Sequence, residues 1–235
     1  NRWHGLDVSI QVGFSKVCGY RAFYTVGNEP ADMINAKTIF LWGSNMVEAH
    51  RMTWNLVQEA KDKGAKLISV DAAFNTTGSK CDKIIAVKPG SDTMVALSMM
   101  NEIIFKKPQW LDKPFMCENT VAPFLVRSDT KMFLRGRDLP GGAPENNNYV
   151  AYNSRSKKLE ESKRVEIKPG NNLYGGPKGV LSGGADYELE KAMTVEVKAD
   201  GGTKKITVTP AFGLLKEHVR KYTPEYAEAY TGLSP

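Results

Sequence analysis

Lys37-Thr38-Ile39-Phe40-Leu41-Trp42-Gly43-Ser44-Asn45 is a short apolar run that breaks into turn-forming residues, the pattern of a buried parallel strand. Beyond it Val47, Met52, Leu56, Val57 and Ala60 recur near helical spacing, and Gly64 follows Lys61 and Lys63 as a C-terminal stop. Lys66-Leu67-Ile68-Ser69-Val70-Asp71 is then a second strand, ending in a carboxylate and leading into Asn75-Thr76-Thr77-Gly78. Strand, helix, strand predicts a βαβ unit. A third strand, Lys83-Ile84-Ile85-Ala86-Val87-Lys88, stops at Pro89-Gly90, and Ser91-Asp92 are placed to cap an apolar helix over 93–105 that ends at Lys106, Lys107 and Pro108. The expected fold class is therefore α/β, with a doubly wound, mostly parallel sheet.

In such sheets ligands sit at the carboxyl ends of the strands, where the chain turns into helices and free N–H groups point outward. Three ends here carry suitable chemistry. Gly43 allows close backbone approach, Ser44 and Asn45 supply short hydrogen-bonding side chains, Asp71 can accept from a ribose hydroxyl, and Ser91-Asp92 sit at a helix start. Each signal alone also reads as ordinary turn and cap chemistry. Their combination points to a nucleotide, yet no G-x-G-x-x-G occurs at the first turn, which argues against an ordinary NAD or FAD fingerprint.

Working outward, the 235 residues are 41% hydrophobic and 25% charged, enough to bury a real core and unlike a disordered or collagenous chain. No apolar run reaches the roughly 18 to 20 residues that span a bilayer. The chain starts at Asn1 without Met or a signal-peptide core, which reads as a mature product or a piece of something longer. The net charge of +6 is diffuse. Its densest basic run, between Arg155 and Arg164, is interrupted by Glu160 and Glu161 and has no interleaved aromatics, so it reads as a solvated loop or helix face rather than a nucleic-acid surface. Cys18, Cys81 and Cys117 lack any C-x-x-C spacing and read as buried free thiols. His4, His50 and His218 receive no firm chemistry.

The order of Ala36-Lys37-Thr38-Ile39-Phe40-Leu41-Trp42-Gly43-Ser44-Asn45, then Gly64-Ala65-Lys66-Leu67-Ile68-Ser69-Val70-Asp71, then Lys88-Pro89-Gly90-Ser91-Asp92-Thr93 resembles the molybdopterin oxidoreductases of the dimethyl sulfoxide reductase family. Ala122-Pro123-Phe124-Leu125-Val126-Arg127, Phe133-Leu134-Arg135, and the tail from Phe212 through Tyr222-Thr223-Pro224-Glu225-Tyr226-Ala227 to Thr231-Gly232 extend the likeness over nearly the whole chain. The resemblance implies an internal fragment of a catalytic subunit that holds molybdenum or tungsten between two molybdopterin guanine dinucleotides and performs two-electron redox or oxygen-atom transfer. It assigns cofactor contacts to Gly43, Ser44, Asn45, Asp71, Gly90, Ser91 and Asp92. By position it also places the metal-ligand loop at Gly5-Leu6-Asp7-Val8-Ser9, with Asp7 preferred over Ser9.

Three places depart from the family pattern: Met46 stands where Pro is usual, Asp71-Ala72-Ala73-Phe74 where Asp-Pro-Arg is usual, and Ser91 where Thr is usual. No cysteine run for an iron–sulfur cluster is present, so any cluster is expected only in a preceding part of the subunit. The implied partners are the remaining domains of that subunit and an iron–sulfur electron-transfer subunit, with neither nucleic acid nor a membrane span. The resemblance fits a periplasmic or membrane-associated complex but fixes no compartment. A different class stays open beside it: a stand-alone α/β nucleotide-binding or interaction domain without redox activity.

Residues 138–184 are rich in Gly, Pro, Asn and charge and read as turns, with one strand at Tyr149-Val150-Ala151-Tyr152. Val165-Glu166-Ile167 and Met193-Thr194-Val195-Glu196-Val197 alternate as half-buried strands do, and Ala199-Asp200-Gly201-Gly202 is a hairpin turn into Lys205-Ile206-Thr207-Val208. The organisation read from sequence is thus an α/β guanine-dinucleotide-binding part over 1–137, a small β-rich appendage formed by a loop-rich insertion with a hairpin over 138–210, and a helical segment over 211–235 that returns to the α/β part.

Overall fold

The computed structural model describes residues 29–164, 179–181, 186–199 and 201–235. After a 3-10 helix at Pro30–Asn35 come β1 (Thr38–Trp42), α1 (Met46–Ala49), α2 (Arg51–Asp62), β2 (Lys66–Asp71), β3 (Lys83–Ala86) and α3 (Asp92–Asn101), which a π-helical turn continues over Glu102–Lys106. Then follow α4 (Lys113–Asn119), β4 (Leu125–Arg127), β5 (Val150–Asn153), β6 (Lys158–Glu161), β7 (Lys163–Arg164), β8 (Gly179–Val180), β9 (Met193–Ala199), β10 (Gly202–Pro210), α5 (Ala211–Val219) and α6 (Pro224–Thr231). The chain divides into two compact units: the described residues up to Met99 together with Tyr222–Pro235, and Met100–Lys221.

In the first unit β2 lies between β1 and β3, and both pairings are parallel. Trp42 pairs with Val70 and Asp71 with Ala86, so all three strands end at one edge. Side chains alternate across the sheet. Leu41 and Leu67 face a core cluster with Met46 of α1 and Val57 of α2, while Phe40, Trp42, Ile68 and Val70 line a groove of about 380 Å³ shared with Val95 of α3 and Ala227 of α6. The single helix expected between β1 and β2 is divided at His50 (φ −136°, ψ 56°), and the break brings Met46 and Val57 into the same cluster.

The returning helix α6 has a built start and a built stop. Thr223 accepts a hydrogen bond from the Tyr226 N–H (3.2 Å), Pro224 occupies the first turn, and Gly232 closes it at φ +76° with its N–H on the Glu228 carbonyl (2.8 Å). Lys88 grips this end twice: its backbone N–H donates to the Thr231 carbonyl (3.1 Å) and its ammonium to the Ala229 carbonyl (3.2 Å), a cation at the negative end of a helix. The turn at Lys88-Pro89-Gly90 is thereby fixed by residues far along the chain.

The second unit is antiparallel. β9 and β10 form the expected hairpin, turning at Gly201 (φ +81°), and β4 joins the other edge of β10. Leu125, Leu134, Val150, Val197 and Val208 are completely buried in its core. The expected parallel sheet is present as β1, β2 and β3, all paired in parallel, and the other sheets among the described residues are antiparallel. Residues 125–127, expected in the α/β part, instead pair as β4 with the free edge of β10. The architecture is mixed α/β, one parallel sheet of three strands with separate antiparallel sheets.

The basic run after Arg155 is neither loop nor helix face alone. It forms the β5–β6 turn and then β6, whose Glu160 accepts from the Tyr187 hydroxyl (2.6 Å) and whose Glu161 accepts from Asn146 (2.8 Å). Cys117 is buried as read, Cys81 is half-buried, and burial raises both thiols. Cys18 and the strand read at Val165-Glu166-Ile167 lie outside the described residues.

Leu67 has no exposed surface, so Leu67→Ala should cost about 2–5 kcal/mol in urea unfolding. Met52, which is 85% exposed, should tolerate Ala within about 0.5 kcal/mol.

A second test concerns acid. The Leu67 N–H (2.7 Å) and, next in weight, the Lys61 ammonium (3.2 Å) hold the Asp82 carboxyl below its ordinary 3.8. A depressed folded pKa stabilises above the unfolded value and loses that stabilisation as pH falls. Unfolding followed from pH 6 down to about 2 should therefore show a shallower acid limb in Asp82→Asn than in the parent chain.

Candidate functional site

Three turns meet at the carboxyl edge of the parallel sheet. The first follows β1. Gly43 continues the ladder through its N–H to the Val70 carbonyl (2.8 Å) and then turns at φ +56°, a conformation that side-chain-bearing residues rarely adopt. A Cβ at Gly43 would meet nothing within 4 Å, so the space beside the turn is open. Ser44 is half-buried, and its hydroxyl has no hydrogen bond among the described residues.

Asn45 is held from below. Thr77, completely buried, accepts from the Val47 N–H (3.0 Å), which leaves its own proton to donate to Asn45 Oδ1 (2.8 Å); the Thr77 N–H reaches the same oxygen at 3.4 Å. A backbone N–H can only donate, so the group facing Thr77 must be the Asn45 carbonyl. The amide Nδ2 is then turned outward with no partner among the described residues. Thr77 also takes the role of a helix cap, since Asn45 precedes α1 without capping it through its side chain. Met46, which replaces the family's proline, is the first residue of α1 and fills the core, so the helix start survives the change.

The second turn follows β2. Asp71 accepts from the Ala73 N–H (3.1 Å) through Oδ1 and from Asn75 Nδ2 (2.9 Å) through Oδ2, and Asn75 in turn accepts from the Gly78 N–H (2.8 Å). The carboxylate that the sequence offers to a ribose thus also organises its own loop. Thr76 donates to the Glu48 carboxylate, tying this loop to α1. Phe74, at the end of the segment that departs from the family pattern, is 73% exposed.

The third turn follows β3. Gly90 lies at φ +78° with open space where a Cβ would project. The expected cap role of Ser91 is not what its hydroxyl does: it donates back to the Lys88 carbonyl (2.6 Å), because the buried side chain closes the turn rather than facing the helix N–H groups. Met94 and Val95 bond to the Ser91 main-chain carbonyl instead (2.9 and 3.1 Å). Asp92, exposed at the start of α3, accepts from Trp42 Nε1 at 2.7 Å through Oδ1, and its second oxygen has no partner among the described residues.

The structure therefore brings Gly43, Ser44, Asn45, Asp71, Gly90, Ser91 and Asp92 to one edge of one sheet. Asp7, Ser9 and His4 lie outside the described residues. Among the described residues no group of three or more His, Cys, Asp or Glu is placed to hold a metal ion. Sequence reasoning missed Thr77 and Trp42. Thr77 sat unnoticed in a run of turn-formers, and Trp42 read as the last apolar residue of a strand although its ring carries a donor at the strand end.

An edge of this kind, with open glycine turns, an outward amide and an acceptor carboxylate, suits a nucleotide. The model of the molybdopterin oxidoreductase family matches residues 7–200, and the chain belongs to that family, whose members of the dimethyl sulfoxide reductase type are enzymes with a molybdenum–pterin cofactor.

Perchlorate reductase subunit alpha of Dechloromonas aromatica is 33% identical over 98% of this chain and 25% of that subunit. Dimethylsulfide dehydrogenase subunit alpha of Rhodovulum sulfidophilum is 33% identical over 75% of this chain and 18% of its own length. Chlorate reductase subunit alpha of Ideonella dechloratans is 28% identical over 87% and 20%. The chain thus spans a quarter or less of these relatives.

Thr77→Val keeps shape and removes the hydroxyl, leaving the Val47 N–H and the Asn45 carbonyl short of a partner. Chemical denaturation should register a loss of about 1–3 kcal/mol. Thr77→Ser, which keeps the hydroxyl, should lose less.

Proposed function

We propose that this chain supplies part of one guanine dinucleotide site in the catalytic subunit of a molybdenum or tungsten bis-molybdopterin guanine dinucleotide oxidoreductase. The observation that carries the reading is the convergence of the three turns on one sheet edge, with a donor at Asn45 and an acceptor at Asp92. Asn45 Nδ2, the Ser44 hydroxyl and the open backbone at Gly43 and Gly90 suit phosphate oxygens. The Asp92 carboxylate suits the N1–H and N2–H groups of guanine, and the remaining lone pairs of Asp71 suit a ribose hydroxyl.

When bound, the metal–pterin group supplies two-electron redox or oxygen-atom transfer. The work of this chain's residues is to bind and orient the nucleotide ends that anchor it. The names of the relatives, perchlorate, chlorate and dimethyl sulfide enzymes, favour a small oxyanion or sulfur compound as substrate. Asp7, with Ser9 as second choice, is assigned to the metal by family resemblance alone.

In the whole subunit the three-stranded sheet is part of a doubly wound one; α2 on one face and α3 and α6 on the other support this. The remaining domains of the subunit complete the cofactor site. The relatives' designation as alpha subunits supports the presence of partner subunits. An iron–sulfur electron-transfer partner, with any cluster of this subunit held in its N-terminal part, is assigned by family resemblance alone.

Elemental mass spectrometry of the protein isolated from its source, combined with nucleotide release by acid, tests the reading. Molybdenum or tungsten is expected together with GMP. A folded protein carrying neither would leave the alternative, an α/β nucleotide-binding or interaction domain without redox chemistry.

A further inference from the structure

Trp42 closes β1, and its indole Nε1–H donates to Asp92 Oδ1 at 2.7 Å across 50 residues of sequence. The bond is short, as charge-assisted bonds to carboxylates are. An indole N–H is a donor and nothing else, so Oδ1 is the acceptor and the bond sets which way the carboxyl group lies. It uses one of the carboxylate's roughly four lone-pair positions. Oδ2 has no partner among the described residues, and Oδ1 retains a second lone pair. Two parallel acceptors are thus presented at a set angle, which suits two adjacent donors on one planar edge. Guanine has such an edge in N1–H and the N2 amino group. Hypoxanthine lacks the amino group, and adenine has an acceptor where guanine has N1–H.

We propose that Trp42 is a positioning residue for base selection: by holding Asp92 it makes the site discriminate guanine from bases with one donor or none on that edge. The inference rests on the nucleotide reading above and adds the residue that sets its specificity. The competing role is a structural tie between the end of β1 and the start of α3. A tie would affect all nucleotides equally. A positioning residue acts on the amino group of the base.

The test uses the 235-residue chain and three probes, GDP, IDP and ADP, titrated calorimetrically into the parent, Trp42→Phe, Asp92→Asn and the double variant. Phe keeps an aromatic ring in the groove and removes the donor together with part of the indole's volume, a loss that acts on all three nucleotides alike. The parent should prefer GDP to IDP and IDP to ADP. Trp42→Phe should weaken GDP roughly tenfold, the scale of a hydrogen bond to a charged group, while leaving IDP much closer to the parent value. Asp92→Asn should lose the same GDP-over-IDP preference, and the double variant should lose no more than the single ones, as coupled residues do.

A Trp42→Phe chain that binds GDP and IDP with an unchanged ratio, or effects that add in the double variant, would overturn the role of Trp42 while leaving the guanine site standing. A parent chain that does not distinguish GDP from ADP would overturn the guanine reading itself, and this inference with it.

Should Trp42→Phe fail to fold, the indole N–H resonances provide the second readout, because Asp92→Asn leaves the donor in place. The sequence has four tryptophans. One indole signal should move upfield in Asp92→Asn and shift when GDP, but not ADP, is added to the parent. Four signals indifferent to both changes would overturn the proposal.

Discussion

Parallel pairing is the constraint on which everything at the site depends. In an antiparallel sheet successive strands end at opposite edges, but in β1, β2 and β3 the same edge receives every strand's last carbonyl and every following turn. The register, Trp42 beside Val70 and Asp71 beside Ala86, decides which residues meet. A slip of one residue would invert every side chain, sending Leu41 and Leu67 to the groove and exposing the core under α2. Leu67 is completely buried and Leu41 nearly so, and that burial opposes such a slip. The apolar core thus fixes the geometry of polar groups that it does not touch.

Turns at such an edge face a difficulty of their own: they stay open at Gly43 and Gly90 and must still satisfy their buried polar groups. The chain meets it with side chains placed beneath the turns. Thr77 serves Asn45 and the start of α1, Asp71 and Asn75 brace the loop after β2, and Ser91 and Lys88 brace the turn after β3. In each case the group facing inward is committed and what faces outward is left over. The polarity of the site is the remainder of this internal hydrogen bonding.

The strands of the parallel sheet were legible because they are continuous apolar runs ended by Gly, Asp or Pro-Gly, and the hairpin of β9 and β10 because its residues alternate around a glycine turn. β4 was not, since three residues make no pattern and its pairing is decided by a partner strand some 80 residues away in sequence. The division of α1 from α2 at His50 was hidden because helical spacing continues through it. At the site, residue types chosen for turn chemistry did converge on one edge. The roles of Asp71 and Ser91 within their own turns, and those of Thr77 and Trp42, depend on which neighbour each side chain meets, and that information is tertiary.

Lys88 closing on the end of α6 has a consequence for synthesis. The first unit is interrupted: Met100–Lys221 is made and can collapse before the segment that completes the earlier unit exists. At about 5–20 residues per second, a ribosome leaves the turn after β3 waiting on the order of ten seconds for its last two main-chain and side-chain partners. During that interval Phe40, Trp42 and the far face of the sheet lack α6, and the nascent chain presents an apolar surface that a chaperone can recognise.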